Sequence, residues 1–284
     1  MLKWPMFSDT HFHFRHIVEE RGLDGSAILD GLCEQEAFFA LDIGTRSDDL
    51  PERMRSIAEA AARLPAGRQD AARSLMRLSA GIWPDMQAAL SGEQELLRLR
   101  QHIAKAEAKG YRICAIGECG LDHHQAEFHE ELYPAEKDLF LMQLQLARQL
   151  GLPVIVHTRQ AYSETLSCID EAGYHNGIIH CYSYGKEEAR QFLDRGWHIA
   201  FGGGTTYTKK SKLPQMLELL RFIPDDRLLL ETDAPYLAPV PFRGATNTPL
   251  LIRHVYEFIA AARSTTAREL SEQVDRNIRM LFKI

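Results

Sequence analysis

The feature that most constrains the fold of this chain is a regular alternation of short apolar segments with longer amphipathic ones. The short segments are rich in Val, Ile, Leu and Phe, and they have the length of strands that are buried on both faces. Strands are therefore predicted at eight places: Met6–Phe14, Ala37–Ile43, Leu78–Ile82, Ile113–Gly117, Pro153–His157, Gly177–Cys181, Trp197–Gly202 and Arg227–Thr232.

Helical periodicity fills the segments between many of these strands. It is clearest at Ala135–Leu150, where apolar residues recur at steps of three and four before a Gly-Leu-Pro stop. The other predicted helices are Glu93–Lys109, Ser163–Ala172, Glu187–Arg195, Lys212–Phe222, Leu250–Arg263 and Ala267–Phe282. Strand–helix alternation predicts a parallel sheet, and eight units favour a closed (β/α)₈ TIM barrel, with an open doubly wound sheet as the alternative. We expect one such barrel domain over residues 1–284, because single barrels commonly take about 250 residues.

Charge and cysteine content narrow the function and the compartment. The formal net charge of −6 argues against a protein that coats nucleic acid with a broad basic surface, although a local basic pocket is compatible with it. The five cysteines are odd in number and scattered, so we expect no disulfide framework and a reducing compartment. The first residues predict neither a signal peptide nor a membrane span, which favours the cytoplasm and excludes a membrane partner.

Ionisable side chains lie at the ends of five of the eight predicted strands. They are His11, His13, Glu118, His157, His180 and Asp233. The carboxyl ends of all strands of a barrel converge on one rim, so these residues are expected to share a small volume. Each one alone has an ordinary structural interpretation, such as a buried histidine or a turn carboxylate. Together they predict a metal centre, because buried charge seldom persists without a partner.

Six segments resemble the TatD family of metal-dependent hydrolases, within the amidohydrolase-like barrels. They are Ser-Asp-Thr-His-Phe-His (8–13), Ile-Gly-Glu-Cys-Gly-Leu-Asp (116–122), Pro-Val-Ile-Val-His-Thr-Arg (153–159), Ile-Ile-His-Cys-Tyr-Ser (178–183), Leu-Glu-Thr-Asp-Ala-Pro-Tyr-Leu-Ala-Pro (230–239) and Arg-Gly-Ala-Thr-Asn-Thr-Pro (243–249). The resemblance implies that His11, His13, Glu118 and Asp233 bind one cation. It also implies that His157 and His180 bind a second cation and that Glu118 bridges the two.

The resemblance further implies a 3′–5′ deoxyribonuclease or phosphodiester hydrolase acting on DNA or RNA ends. Four places depart from the family pattern: Trp83 replaces the histidine of Gly-x-His-Pro, Tyr184 replaces a glycine, Thr248 replaces an acid, and His123–His124 replaces a pair of tyrosines. None of these changes removes an expected ligand, but they leave the substrate open.

Two cations can share a water, lower its pKa and clamp a phosphate oxygen. Asp233 is the predicted general base and Glu118 the predicted bridge. Asp122 is the second candidate for the base, and its simpler interpretation is a turn or helix-cap residue.

Three cationic residues are candidates for substrate contacts. Arg159 is two residues beyond His157 on the same strand, where it would either hold a phosphate or pair with a neighbouring acid. Lys209 begins a basic run near Tyr207, which would contact substrate or simply be a solvated face. Arg243, in the loop after the eighth strand, is a similar candidate.

The sequence leaves several alternatives open. The two ions are expected to be Zn, Mn or Mg, since imidazole ligation favours Zn, Mn or Fe while the family is often studied with Mg. Nucleic acid is expected as a substrate rather than a stable partner. The protein itself is expected to be a monomer or a weak oligomer. The alternative functions are hydrolysis of another ester or amide, such as an aminoacyl-tRNA ester or a lactone, and a non-catalytic barrel that binds metal or a partner.

Overall fold

The computed structural model describes residues 6–124 and 130–284. Its core is one sheet of eight strands in sequential order, with every neighbouring pair parallel. The strands are β1 (Asp9–Phe12), β2 (Ala40–Asp42), β3 (Met76–Ala80), β4 (Ile113–Asp122), β5 (Val154–Arg159), β6 (Gly177–Ile179), β7 (His198–Phe201) and β8 (Leu228–Leu230). Each of the eight predicted runs overlaps one of these strands. The prediction that the first residues form no signal peptide falls partly on residues 1–5, which lie outside the described residues.

The helices that surround the sheet follow the strands in alternation. They are α1 (Gly25–Glu34), α2 (Leu50–Ala62), α3 (Ala66–Leu75), α4 (Met86–Leu90), α5 (Gly92–Ala108), α6 (Tyr133–Leu150), α7 (Tyr162–Ala172), α8 (Lys186–Asp194), α9 (Leu213–Phe222), α10 (Ile252–Arg263) and α11 (Ala267–Phe282). The seven helices predicted from periodicity are α5 to α11. Within the described part of the chain, no helix combines the length and the apolar character that crossing a bilayer requires.

The helices between β1 and β3 were not predicted, and α2 shows why. Its buried face includes Arg53, Ser56 and Ala60 beside larger apolar residues. Periodicity of large apolar side chains is the signal that identifies an amphipathic helix. Here that signal is weak, because polar and small residues fill part of the inner face.

The sheet closes on itself where the chain leaves β8. The N–H of Asp233 donates to the carbonyl of His11 at 2.9 Å, and the N–H of His13 donates to the carbonyl of Ala234 at 2.7 Å. Phe12 and Ala234 form a parallel bridge at the same place. These bonds confirm the barrel over the open sheet, and they place the residues after β1 and β8 side by side.

The fourth strand differs from the prediction. It runs to Asp122 instead of ending at Gly117, so Glu118 lies inside the strand rather than after it. Gly117 and Gly120 have φ values of 137° and 142°, and a Cβ on Gly120 would overlap the carbonyl oxygen of His157. Glycine is favoured in such backbone conformations and permits this close approach. The strand can therefore pass tightly along β5 and present Glu118 to the rim, with a register irregularity between Ile116 and Cys119.

Candidate metal centre

A cavity of about 800 Å³ opens at the carboxyl ends of the strands. Five of the six predicted ligands line it: His13, Glu118, His157, His180 and Asp233. The sixth, His11, is fully buried next to them. The structure thus brings together side chains that are spread over most of the sequence, as convergence at a barrel rim requires.

Glu118 lies between two sets of imidazole rings. Its Oε1 is 2.9 Å from His157 Nδ1 and 3.0 Å from His180 Nε2. Its Oε2 is 3.5 Å from His11 Nε2 and 3.8 Å from His13 Nε2. One carboxylate therefore faces two separate pairs of histidines with different oxygens.

Asp233 completes the side of the centre that is formed by β1. Its Oδ1 is 3.7 Å from His11 Nε2 and 3.6 Å from His13 Nε2. The backbone of Asp233 has a φ of 55°, a conformation that is uncommon outside glycine and that short polar residues tolerate best. Its backbone bond to His11 fixes this conformation next to β1.

The donor atoms fit a divalent metal. Both nitrogens of His11 and the Nδ1 atoms of His13 and His180 are buried without a hydrogen-bond partner among the described residues. Imidazole nitrogens with carboxylate oxygens form a donor set suited to Zn, Mn or Fe. Three groups have ligand atoms within 4.8 Å of one another: His11, His13 and Glu118; Glu118, His157 and His180; and His11, His180 and Asp233.

A second layer of carboxylates lies behind two of the histidines. Asp122 Oδ2 is 2.9 Å from His157 Nε2, while its Oδ1 accepts the N–H of His124 at 2.8 Å. Glu231 Oε1 accepts the N–H of Cys181 at 2.6 Å and lies 3.6 Å from His180 Nδ1. A carboxylate bonded to a histidine fixes the tautomer and the orientation of the ring, and Asp122 is placed to do this for His157.

Sequence reasoning missed the contact between Asp122 and His157, although it identified the turn role of Asp122. It did not single out Glu231 at all. The signal for Glu231 in the sequence is an acid directly after three leucines, at the end of a buried strand.

Burial and neighbouring charge act in opposite directions on the two carboxylates of the centre. Burial raises the pKa of Glu118, but the charge of His180 and the contacts with His11 and His157 outweigh it and hold that pKa well below the usual value. Burial likewise raises the pKa of Asp233, but His13 and the charge of His11 outweigh it and lower the pKa. Both carboxylates are therefore ionised at neutral pH.

Three arginines line the cavity, of which only Arg159 was predicted. Arg15 pairs with Glu19 at 3.0 Å and Glu52 at 2.9 Å, and Arg46 pairs with Asp48 at 2.8 Å. Within residues 6–124 and 130–284, no carboxylate forms an ion pair with Arg159. Its ion-pair interpretation therefore finds no partner in this part of the chain. The positions of Arg15 and Arg46 depend on loop folding, for which the sequence carries no signal.

The remaining candidates occupy the wall and the rim of the cavity. Trp83 lies in the wall, with its ring centroid 5.8 Å from that of His157. Lys209 and Arg243 are not among the lining residues. Arg243 instead lies over the ring of Tyr207, 4.6 Å from its centroid.

A profile described as TatD related DNase matches residues 8–283 of this chain. The chain belongs to the TatD family. The resemblance and the barrel fold predicted from the sequence are thereby confirmed, and the protein is a metal-dependent hydrolase. This assignment replaces the alternative of a non-catalytic barrel.

Individual relatives of this TatD-family protein agree with the assignment. An uncharacterized metal-dependent hydrolase of Bacillus subtilis, YabD, is 34% identical over 204 residues, which span 71% of this chain and 76% of the relative. A protein of Erwinia billingiae named 3′-5′ ssDNA/RNA exonuclease TatD is 32% identical over 214 residues, which span 72% of this chain and 77% of the relative. The crystal structure of the TatD homologue YJJV from Escherichia coli superimposes with a TM-score of 0.79 at 26% identity and covers 98% of both chains.

Proposed function

We propose that this protein is a two-metal phosphodiesterase that acts on the 3′ ends of DNA, or of RNA. The single observation that carries the proposal is Glu118, whose two oxygens face two different pairs of imidazole nitrogens in one cavity. A carboxylate in this position can bridge two cations. The direction of degradation is suggested by the name of the Erwinia relative.

The ligands divide between the two sides of Glu118. His11, His13 and Asp233 would hold one divalent ion together with Glu118, and His157 and His180 would hold the other. When bound, two such ions supply Lewis-acid activation of water and stabilise charge at the phosphate. Zn, Mn and Mg are the candidates, because the centre combines imidazole nitrogens with carboxylate oxygens.

Asp233 would accept the proton of the attacking water. It is ionised because its pKa is lowered, and 14% of its side chain is exposed to the cavity. Asp122 is less suited to this role, because its Oδ2 is already bonded to His157. It is better placed to orient that ring.

Arg159 would bind a non-bridging phosphate oxygen of the substrate. It lines the cavity from the same strand as His157, and no ion pair within the described residues occupies its guanidinium. A planar guanidinium can hold two phosphate oxygens at once. This contact fits a phosphodiester better than an uncharged ester.

The test is metal analysis of the purified protein followed by hydrolysis of 5′-labelled single-stranded DNA. We expect bound divalent metal and a ladder that shortens from the 3′ end, with no products in excess chelator. Full turnover in chelator would overturn the metal mechanism. Metal-dependent hydrolysis of an aminoacyl ester without any DNA turnover would instead favour a carbonyl ester as the substrate.

A further inference from the structure

The loop that follows β8 exposes four large apolar side chains within one short stretch. Tyr236, Leu237, Val240 and Phe242 are between 39% and 47% exposed. Elsewhere in the described chain, no helix, strand or loop has more than two exposed large apolar side chains. Scattered exposed residues are ordinary, whereas a cluster marks a surface that contacts something.

This apolar loop is firmly held against the loop that follows β7. The N–H of Val240 donates to Thr206 Oγ1 at 2.9 Å, and Thr206 Oγ1 donates to the carbonyl of Gly203 at 2.7 Å. A Cβ on Gly203 would overlap the carbonyl oxygen of Leu237. The two loops are thus in contact, and this contact fixes the backbone that carries the apolar side chains.

The charge of this surface has one sign only. Lys209, Lys210 and Lys212 are on the β7 loop, and Arg243 lies over the ring of Tyr207 on the β8 loop. Neither residues 203–212 nor residues 236–248 include an Asp or a Glu. A surface with flat apolar groups and cations, and without acids, matches a strand of bases joined by phosphates.

The apolar stretch also reaches the active-site cavity. Tyr236 and Leu237 line the cavity, and Val240 and Phe242, which do not line it, follow them on the same loop. A polymer with its terminal phosphodiester at Glu118 and Asp233 would leave the cavity over these side chains.

We propose that the two loops form a basic–apolar strip that binds single-stranded nucleic acid upstream of the bond being cleaved. We define the strip as Tyr236, Leu237, Val240 and Phe242 with Lys209 and Arg243. Bases stack on Phe242 and on the Arg243 guanidinium that covers the ring of Tyr207, while Lys209 contacts a phosphate. The inference rests on the proposed function and extends it from one nucleotide to a segment of strand.

The experiment measures kcat/KM of the metal-loaded protein on oligothymidylates of 3 and 12 nucleotides. The strip predicts that the wild type prefers the longer strand, and that Phe242→Ser lowers the ratio of the two values about tenfold, the loss of one base stack. Val240→Ser is a second variant, because Phe242 also packs near the ring of His254. Met280→Ser, at a 69% exposed position on α11, is the matched control and is expected to leave the ratio unchanged.

Two binding measurements separate the possible failures. Fluorescence anisotropy of the labelled 12-mer, with the full chain in chelator, is expected to show weaker binding by Phe242→Ser than by Met280→Ser. Flotation with phosphatidylglycerol–phosphatidylcholine vesicles tests a membrane surface as the alternative ligand.

If the wild type cleaves the 12-mer and both strip variants keep its length preference, the strip is wrong and the proposed function stands. If no strand is cleaved but the variants still bind the 12-mer more weakly, the proposed function is wrong and the strip stands. Vesicle binding that depends on Phe242, with unchanged oligonucleotide binding, would overturn the strip as a nucleic-acid site.

Discussion

Two buried clusters of charged side chains in this barrel differ in one respect. In the first cluster, Arg53 is 3% exposed and all three of its guanidinium nitrogens donate hydrogen bonds. Nε donates to the Asp42 carboxylate at 2.8 Å, and Nη2 donates to the carbonyl of Asp42 at 2.7 Å. Nη1 donates to the Asp49 carboxylate at 3.2 Å and to the carbonyl of Ser79 at 3.0 Å. In the second cluster, the metal centre, neither nitrogen of His11 has a hydrogen-bond partner among the described residues. The Arg53 cluster is complete within the chain, and the metal centre is not.

The comparison separates a structural polar cluster from a functional one. Both clusters are buried and both combine cationic or imidazole groups with carboxylates, so burial and charge do not distinguish them. What distinguishes them is the unfilled hydrogen-bonding capacity of the histidines, since buried polar groups of folded proteins are generally satisfied. The histidines of the centre can bind metal with their free nitrogens, whereas the Arg53 cluster has its partners within the chain.

The largest effect is expected from Asp233→Asn in the metal centre. Hydrolysis should fall about a thousandfold or more, because the substitution removes the charge of the proposed general base and proposed ligand together. The free energy of unfolding should change little, and kcat with urea denaturation would check both points. Asp226→Asn, which alters an exposed acid, is the control. Near-normal turnover by Asp233→Asn would remove its assignment as the base.

Arg53→Leu is the corresponding change in the complete cluster. It should lower the free energy of unfolding by about 3–5 kcal/mol, because Asp42 and Asp49 lose their buried partner. The loss should be the same with and without metal, as measured by urea denaturation. Arg55→Leu, on the exposed side of the same helix, is the control. Equal stability of the two variants would show that the Arg53 cluster is not structural.

Asp122→Asn tests the layer behind the ligands. It should weaken metal binding about 10- to 100-fold, because a carboxylate that orients His157 becomes an uncharged amide. Metal titration by calorimetry measures the effect, and Asp138→Asn, at an exposed position on α6, provides the baseline. Unchanged affinity would mean that Asp122 serves only the turn.

The smallest effect concerns a buried imidazole far from the ligands in the sequence. His198 begins β7, and burial, aided by the charge of Arg227, lowers its pKa to about 4. Below its unfolded pKa of 6.5 the unfolded chain takes up a proton that the folded chain does not, so stability is lost as the pH falls. Between pH 6.5 and 5 the wild type should lose about 1–2 kcal/mol more than His198→Leu. His175→Leu, at an exposed position, should keep the wild-type slope.

The sequence predicted the position of a site residue wherever a histidine or an acid stands at the end of an apolar run. His11, His157, His180 and Asp233 were placed at one rim because barrel geometry makes strand ends converge. Glu118 was placed at the same rim but directly after β4 instead of within it, since Gly117 and Gly120 look like a strand end and in fact let β4 continue.

The rest depends on contacts between distant segments. The pairing of Asp122 with His157 joins two strands, and the Arg53 cluster joins α2 to β2 and β3. Arg15 and Arg46 reach the cavity only because the loops after β1 and β2 fold over it. None of these contacts leaves a periodic or local signal in the chain.

The most direct test of the incomplete cluster is anomalous diffraction from crystals of the protein grown with Mn²⁺. The account predicts two anomalous peaks, one on each side of the Glu118 carboxylate and about 3.5–4 Å apart. Crystals of His157→Ala should keep the peak beside His11 and His13 and lose or weaken the other. Histidines that bind no ion, or ions bound away from Glu118, would contradict the account.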